Sequence, residues 1–397
     1  MTTADGQLTS IEICAGAGGQ AVGLHAAGFR HLALVEIDKH AAATLRLNLK
    51  NRTEWAWERS HCQVFERDVK HFHPLKEIPN PELLHVVEKP KRTAQKKPKN
   101  QVPEFIQPGM LDLLAGGVPC PPFSAAGKQL GMDDDRDLFP RMLELVDDLR
   151  PKAVMIENVR GIFDAKFDQY RAHILDSLWR LGYGLCGWKL LHAEDFEVPQ
   201  LRPRAILVAI RDDCYRGFDW PEPSDVRVSV GEALGESMAK RLGAKSPRYR
   251  EWHSHAVKGV APTLVGGSKK HGGADLGPTR AKKAWDALGV DGMGVANDPG
   301  LMVDKERDLG RRVQREDGRK YSGPKLTVTQ ASIIQGFPEE WEFEGGKTAR
   351  YRQVGNAFPP PVARAVGSAI AEALGRKGDV LPRPRMGYPK DPKPGLF

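Results

Sequence analysis

The stretch Gly116-Gly117-Val118-Pro119-Cys120-Pro121-Pro122-Phe123-Ser124 constrains this chain more than any other. It follows an apolar run, Met110 to Ala115, which reads as a short buried strand ended by residues that tolerate unusual dihedrals. The prolines exclude a helix interior or a central strand. Cys120 is therefore expected on a stiff loop just past a strand end. In an open α/β sheet that is where ligands bind. A thiol held there can act as a nucleophile if a neighbour lowers its pKa or protonates its target. The competing reading is a plain turn with a small buried side chain, because free cysteine is mostly a core residue. The rest of the chain has to decide between them.

Composition narrows the class. With 397 residues there is room for one large domain and a smaller one, and 40% hydrophobic residues support a real core. A net charge of +8 and a pI near 9.1 favour a polyanionic partner. The five cysteines (14, 62, 120, 186 and 214) form no C-x-x-C pair. Their odd number argues for a reducing compartment and against a disulfide framework or a zinc site. Neither a signal peptide nor an apolar run long enough to span a bilayer is read, so the cytoplasm is the expected location.

Leu8 to Ala15 reads as a first buried strand. It breaks into Ala15-Gly16-Ala17-Gly18-Gly19, and Gln20 to Ala27 has helical character. Strand, glycine turn and helix together make a nucleoside-binding unit, in which the glycines let a ligand approach the backbone. His31 to Ile37 reads as a second strand. It carries Glu36 near its end, where an acid can hold the two hydroxyls of a ribose. This pattern does not separate NAD from S-adenosylmethionine. His40 to Asn48 reads as a helix and Cys62 to Val69 as a third strand. Asp68 at that strand's end suits either an adenine amino group or a helix cap. Residues 79–108 change character, with a basic, proline-bearing run from Glu88 to Lys99. They read as an exposed, mobile insertion, more readily a solvated loop than a nucleic-acid contact.

The polar, glycine-bearing segment from Ala125 to Asp137 suits a loop that closes over a substrate. Leu138 to Leu149 reads as a helix, and Lys152 to Ile156 as a buried strand that delivers Glu157-Asn158-Val159 to the ligand edge. A partly desolvated carboxyl there can act as a general acid, and it can equally cap a helix. Phe167 to Leu181 reads as helical. Gln200-Leu201-Arg202-Pro203-Arg204 leads into the apolar strand Ala205 to Ile210. Its two alternating arginines can point their forked donors at one ligand, or can make ordinary surface ion pairs. From Phe218 to Lys325 the α/β rhythm disappears, with only short pieces such as Thr279 to Leu288 suggested. Thr329 is expected to cap a helix through Ile334 that stops at Gly336-Phe337-Pro338. Tyr351 to Pro361 reads as a loop. Val362 to Leu374 is a small-residue helix that must pack closely on something, and 376–397 reads as a disordered tail.

Six of these stretches stand in the order found in prokaryotic DNA cytosine-5 methyltransferases, and the chain resembles that family. Ile11 to Gly19 resembles its cofactor loop, Pro119 to Ser124 its nucleophile loop, and Glu157-Asn158-Val159 its acid-bearing strand end. Gln200 to Arg204 resembles its double-arginine motif. Gln335-Gly336-Phe337-Pro338 and Gln353-Val354-Gly355-Asn356 resemble its closing motifs. The resemblance implies a Rossmann-like α/β fold with a mostly parallel sheet, helices on both faces and a smaller, irregular target-recognition domain. It divides the chain into a catalytic domain (1–216), a recognition domain (217–325), helices returning to the catalytic domain (326–375) and the tail.

The resemblance also implies roles. The Cys120 thiolate would add to C6 of a flipped cytosine in duplex DNA, with Glu157 protonating N3 and Arg204 at O2, supported by Asn158 and Arg202. S-adenosylmethionine, leaving as S-adenosylhomocysteine, would lie against Cys14, Ala15, Gly16, Gly18 and Gly19. Glu36 with Ile37 would serve the ribose, Asp68 with Val69 the adenine, and Pro119 and Asn356 would close the site. Ser124, Lys128 and Arg136 would contact DNA. No metal is implied. A monomer and a functionally linked restriction endonuclease are expected. Cys14 departs from the aromatic residue usual at its position. An NAD-dependent dehydrogenase would explain the glycine turn and Glu36 but not the Pro-Cys-Pro loop or a basic second domain. An RNA cytosine-5 methyltransferase is closer in chemistry, though aromatic stacking residues are few at 7%. A silent DNA-binding protein would have no use for Cys120, Glu157 and Arg204 together.

Overall fold

The computed structural model describes residues 7–84, 103–119, 137–267, 274–298, 312–314 and 320–384. Its eight leading strands are β1 (Leu8–Ile13), β2 (Phe29–Glu36), β3 (Gln63–Glu66), β4 (Leu113–Gly116), β5 (Ala153–Val159), β6 (Tyr183–His192), β7 (Gln200–Leu201) and β8 (Pro203–Arg211). All but β7 form one sheet of seven strands in the order β3-β2-β1-β4-β5-β8-β6. β8 runs antiparallel to both β5 and β6, and every other pairing is parallel. The helices of this half are α1 (Gly19–Ala26), α2 (Lys39–Asn51), α3 (Ala56–His61), α4 (Pro74–Glu77), α5 (Phe139–Leu149) and α6 (Asp168–Arg180).

The central strands are continuous apolar runs because both faces of the sheet are covered. Alternate residues serve opposite faces. Leu114, Val154, Ile156 and Leu207 join the core built with α5 and α6. Leu113, Ala115, Met155, Ile206 and Val208 meet the C-terminal helix on the other face.

The remaining helices and strands are α7 (Val230–Leu242), α8 (Pro247–Ala256), β9 (Ala261–Pro262), α9 (Thr279–Ala287), the antiparallel pair β10 (Arg312–Gln314) and β11 (Lys320–Ser322), α10 (Val328–Ile334), α11 (Lys347–Asn356) and α12 (Pro360–Gly375). A second core joins Val230, Leu234, Trp252 and Trp285 to Val328, Ile334, Tyr351 and Val354. α10 and α11 line the second core, and only α12 packs on the sheet.

Several sequence expectations change. β6 was assigned no element, and α7 and α8 are longer than the short pieces expected of 217–325. Tyr351 to Asn356 is helical, not a loop. The cap of α10 is Thr327, in a reciprocal capping box with Gln330, whereas the Thr329 hydroxyl bonds Asp298. The flanks of the 79–108 insertion are packed: Ile78 and Ile106 are fully buried, and Ile106 N–H donates to the Ile78 carbonyl. Its basic run lies outside the described residues. The start of the expected tail is also placed. Leu185 N–H on β6 donates to the Pro384 carbonyl (3.1 Å), and the Arg383 guanidinium sits 3.4 Å from the Trp179 ring centroid.

Candidate active site and cofactor crevice

β1 and β4 lie side by side and parallel, Ile13 opposite Gly116. From β1 the chain winds to β2 on one side; from β4 it winds to β5 on the other. The crevice beyond the carboxyl ends at such a reversal is the ligand site of open α/β sheets. Both loops singled out in the sequence leave from this point.

The cofactor loop turns sharply. Cys14 (φ 52°), Gly16 (φ 56°) and Gly18 (φ 92°) are all left-handed. Gly18 N–H closes the turn on the Ala15 carbonyl at 3.1 Å. The glycines do different jobs. A Cβ at Gly16 would meet nothing within 4 Å, so this residue faces open space. A Cβ at Gly18 would come within 2.8 Å of the Trp341 ring, and one at Gly19 within 2.2 Å of the Phe358 carbonyl. Gly16 thus faces open space, while a side chain at Gly18 or Gly19 would meet protein.

Glu36 ends β2 beside this loop. Its Oε2 accepts from Gly16 N–H (2.8 Å) and its Oε1 from Asp38 N–H (2.7 Å). Burial pushes its pKa up, opposed by these backbone donors. Each oxygen retains a lone pair for a hydroxyl. Ile37 beside it is 66% exposed and presents an apolar face to any ring laid there. Burial, then the charges of Glu36 and Asp68, push the Cys14 thiol up, so it is a neutral group near two carboxylates. Asp68 caps the turn Val69–His71 by accepting Lys70 N–H at 2.9 Å, while the Val69 side chain is core. Carboxylate acceptors, an exposed apolar side chain and an open glycine fit a cationic nucleoside carrying a ribose diol. Pro119 is exposed beyond β4. Asn356 ends α11, its amide 3.5 Å from the Gly267 carbonyl.

On the other side of β4, Glu157 and Arg204 project from the same face of the β5–β8 pair, where Glu157 opposes Ile206 and Val159 opposes Arg204. Arg204 Nε meets Glu157 Oε1 at 2.7 Å with both side chains largely buried. A Cβ at Gly117 would lie 2.9 Å from Glu157 Oε2, so the glycine leaves the carboxyl room beneath the start of the nucleophile loop. Asn158 donates to the Val118 carbonyl at 2.8 Å and fixes the same loop from below. Cys120, Ser124, Lys128 and Arg136 lie outside the described residues.

Arg202 corrects the expectation that the two arginines aim at one ligand. It is 1% exposed, and its guanidinium donates to the carbonyls of Leu264 (2.7 Å), Gly355 (2.9 Å) and Ala357 (2.9 Å). Burial, then the charge of Arg204, pull its pKa down, opposed only in part by Glu157 and Tyr351. Gln200, fully buried beside Arg202, bonds Gln335 Oε1 (2.8 Å) and accepts Leu264 N–H (2.8 Å).

The model of the C-5 cytosine-specific DNA methylases matches residues 8–84 and 85–372. The chain belongs to that family. It is 48% identical over 376 residues to the Type II methyltransferase M.NaeI of Lentzea aerocolonigenes, an alignment covering 94% of this chain and 76% of that protein. With M.NgoMIV of Neisseria gonorrhoeae, also named a Type II methyltransferase, it shares 43% identity over 93% of this chain and 98% of the relative. Among solved structures, the Entamoeba histolytica methyltransferase EhMeth superposes with a TM-score of 0.56 at 15% identity, over 93% of this chain and 99% of that one. The S. pombe Dnmt2 methyltransferase gives 0.52 at 16%, over 93% and 100%. These superpositions confirm the fold, a mostly parallel α/β sheet of the S-adenosylmethionine-dependent type. Family membership excludes the dehydrogenase reading.

Sequence reasoning missed Trp341, which covers the cofactor loop of this methylase, and the buried Gln200–Gln335 pair. The only available signal was the position of Trp341 three residues after Gly336-Phe337-Pro338, and spacing alone gives no hint of which loop it reaches.

Proposed function

We propose that the chain transfers a methyl group from S-adenosylmethionine to C5 of a cytosine flipped out of one duplex DNA sequence. The supporting observation is the Glu157–Arg204 pair, held on one face of the sheet at its ligand edge and directly under Gly117, three residues before Cys120. Cytosine C5 is a poor nucleophile. Addition of the Cys120 thiolate to C6 makes C5 enamine-like, and a proton delivered to N3 by Glu157 eases that addition. Arg204 holds Glu157 in place and offers donors to O2. S-adenosylmethionine supplies the electrophilic methyl group when bound at Gly16 and Glu36. Loss of the C5 proton to a base then expels the thiolate. Asn158 and Arg202 hold the backbone around these groups. The C5 and C6 atoms are buried in a duplex, so the cytosine must leave the stack.

The enzyme acts as a monomer on double-stranded DNA in the cytoplasm, at the nucleoid, with no metal. The names of the relatives favour a cognate restriction endonuclease, linked by function and not by contact. Ser124, Lys128 and Arg136 contact the DNA. Bisulfite sequencing of DNA from cells expressing the chain tests the proposal. The expected result is 5-methylcytosine at a single duplex sequence. Unmodified DNA together with newly methylated tRNA would favour the RNA-directed alternative.

A further inference from the structure

We infer that Trp341 is a positioning residue for the cofactor, setting the loop that holds it. This rests on the reading of the Gly16–Gly19 turn as the S-adenosylmethionine site. The indole Nε1–H donates to the Ala17 carbonyl at 3.0 Å, 324 residues away in sequence. Ala17 is the residue between the open Gly16 and the left-handed Gly18. The Trp341 ring occupies the space that a Gly18 side chain would need, so ring and loop are complementary in shape as well as hydrogen bonding.

The ring is itself held. It is 4% exposed and packs against Phe337 (centroids 6.2 Å apart) and Trp55 (5.7 Å). The chain after it is stitched to α2. Asn48 Nδ2 donates to the Glu342 carbonyl at 2.8 Å, and Glu344 N–H donates to Thr44 Oγ1 at 2.8 Å. Trp341 therefore reaches the loop from a fixed base.

A buried tryptophan N–H seeks some acceptor as a matter of course. Yet the buried indoles of Trp188, Trp252 and Trp285 have no hydrogen-bond partner among the described residues. Trp341 gives its donor to the loop whose Gly16 faces open space. The Glu36 carboxylate pulls on the adjacent Gly16 N–H. The turn is thus held by two side chains from different parts of the chain, and only Glu36 is expected to touch the ligand.

Trp341→Phe keeps a ring in the pocket and removes the donor. Calorimetric titration of the full chain with S-adenosylmethionine, steady-state kinetics and thermal unfolding test the inference. Loss of one such hydrogen bond is expected to raise the cofactor Kd and KM about fivefold. The kcat at saturating cofactor, the KM for duplex DNA and the Tm stay close to wild type. Trp341→His, which restores a ring N–H, recovers part of the affinity. An unchanged cofactor Kd in Trp341→Phe overturns the inference. So does a parallel loss in Kd, kcat, duplex KM and Tm, which marks a merely structural ring, and so does the absence of any recovery in Trp341→His. Failure of the wild-type chain to bind S-adenosylmethionine would instead overturn the reading of the site.

Discussion

Glu12 and His31 carry ionisable groups into the middle of the sheet, on β1 and β2, with no exposed surface. His31 Nε2 lies 3.0 Å from the Ala21 carbonyl and so bears the proton of the neutral ring. That leaves Nδ1 to accept from Ser10 Oγ at 2.7 Å, with Glu12 Oε1 3.3 Å away. Burial pushes His31 down to about 4, with Glu58, His25 and Arg30 adding smaller effects, and pushes Glu12 well up. At neutral pH the ring is neutral, and the Glu12 carboxyl holds its proton to higher pH than a free carboxyl does. An unfolded chain releases the Glu12 proton near pH 4.5, so the folded state binds more protons above that pH and stability falls as pH rises. His31 acts oppositely, costing stability as pH falls from 6.5 to about 4. Glu12→Gln keeps the shape without the ionisation. It is expected to raise Tm over wild type at pH 8 and to leave it unchanged at pH 5; an equal shift at both contradicts this account. At this scale the sequence was legible where a residue ends a strand, as with Glu36 and Glu157. It was not legible for Arg202, whose carbonyl partners lie 62, 153 and 155 residues away. Whether a guanidinium meets a ligand or the backbone is decided by chain that local pattern cannot see.

Among the elements, α1 and α12 show how a small-residue helix finds its partner. A Cβ at Gly23 would lie 2.4 Å from the Pro360 carbonyl and 2.5 Å from Ala363 Cβ, and one at Gly367 2.7 Å from Leu24. The sequence expectation that Val362 to Leu374 packs closely is met by this glycine-lined crossing. In an exposed helix, Gly→Ala stabilises by about 1 kcal/mol. Here Gly23→Ala is expected to destabilise by about 1–3 kcal/mol, because the obstruction is backbone. Denaturant unfolding checks the sign, and a stabilised variant contradicts the packing. The missed elements have local causes. β6 carries Gly184 against Pro384 and Gly187 (φ 147°) at a register shift, and both blur the alternation that marks a strand. α11 has no side-chain cap and holds Gly355, which approaches Gly266 too closely for any side chain. α7 was legible in principle, from the Ser229–Glu232 capping box.

Among the described residues, buried polar groups join the clusters that cover the sheet to the core around Trp252 and Trp285. Arg202 and Gln200 tie the strand end carrying Arg204 to Leu264 on one side and to Gln335, Gly355 and Ala357 on the other. Six of the sheet's strands, the acid and arginine strand ends and the glycine turn were legible because each is local: an apolar run followed by a break. How the region 217–325 is built was not, because its core is completed by α10 and α11 from beyond it. The central claim is that the Cys120 thiolate attacks cytosine beside Glu157 and Arg204. Incubating the full chain with S-adenosylmethionine and a duplex carrying 5-fluorocytosine at the methylated position tests it most directly, since fluorine blocks loss of the C5 substituent and traps the adduct. The account predicts a denaturation-resistant protein–DNA complex that is absent in Cys120→Ser. Methylation by the wild type without such a complex, or a complex that persists in Cys120→Ser, would contradict it.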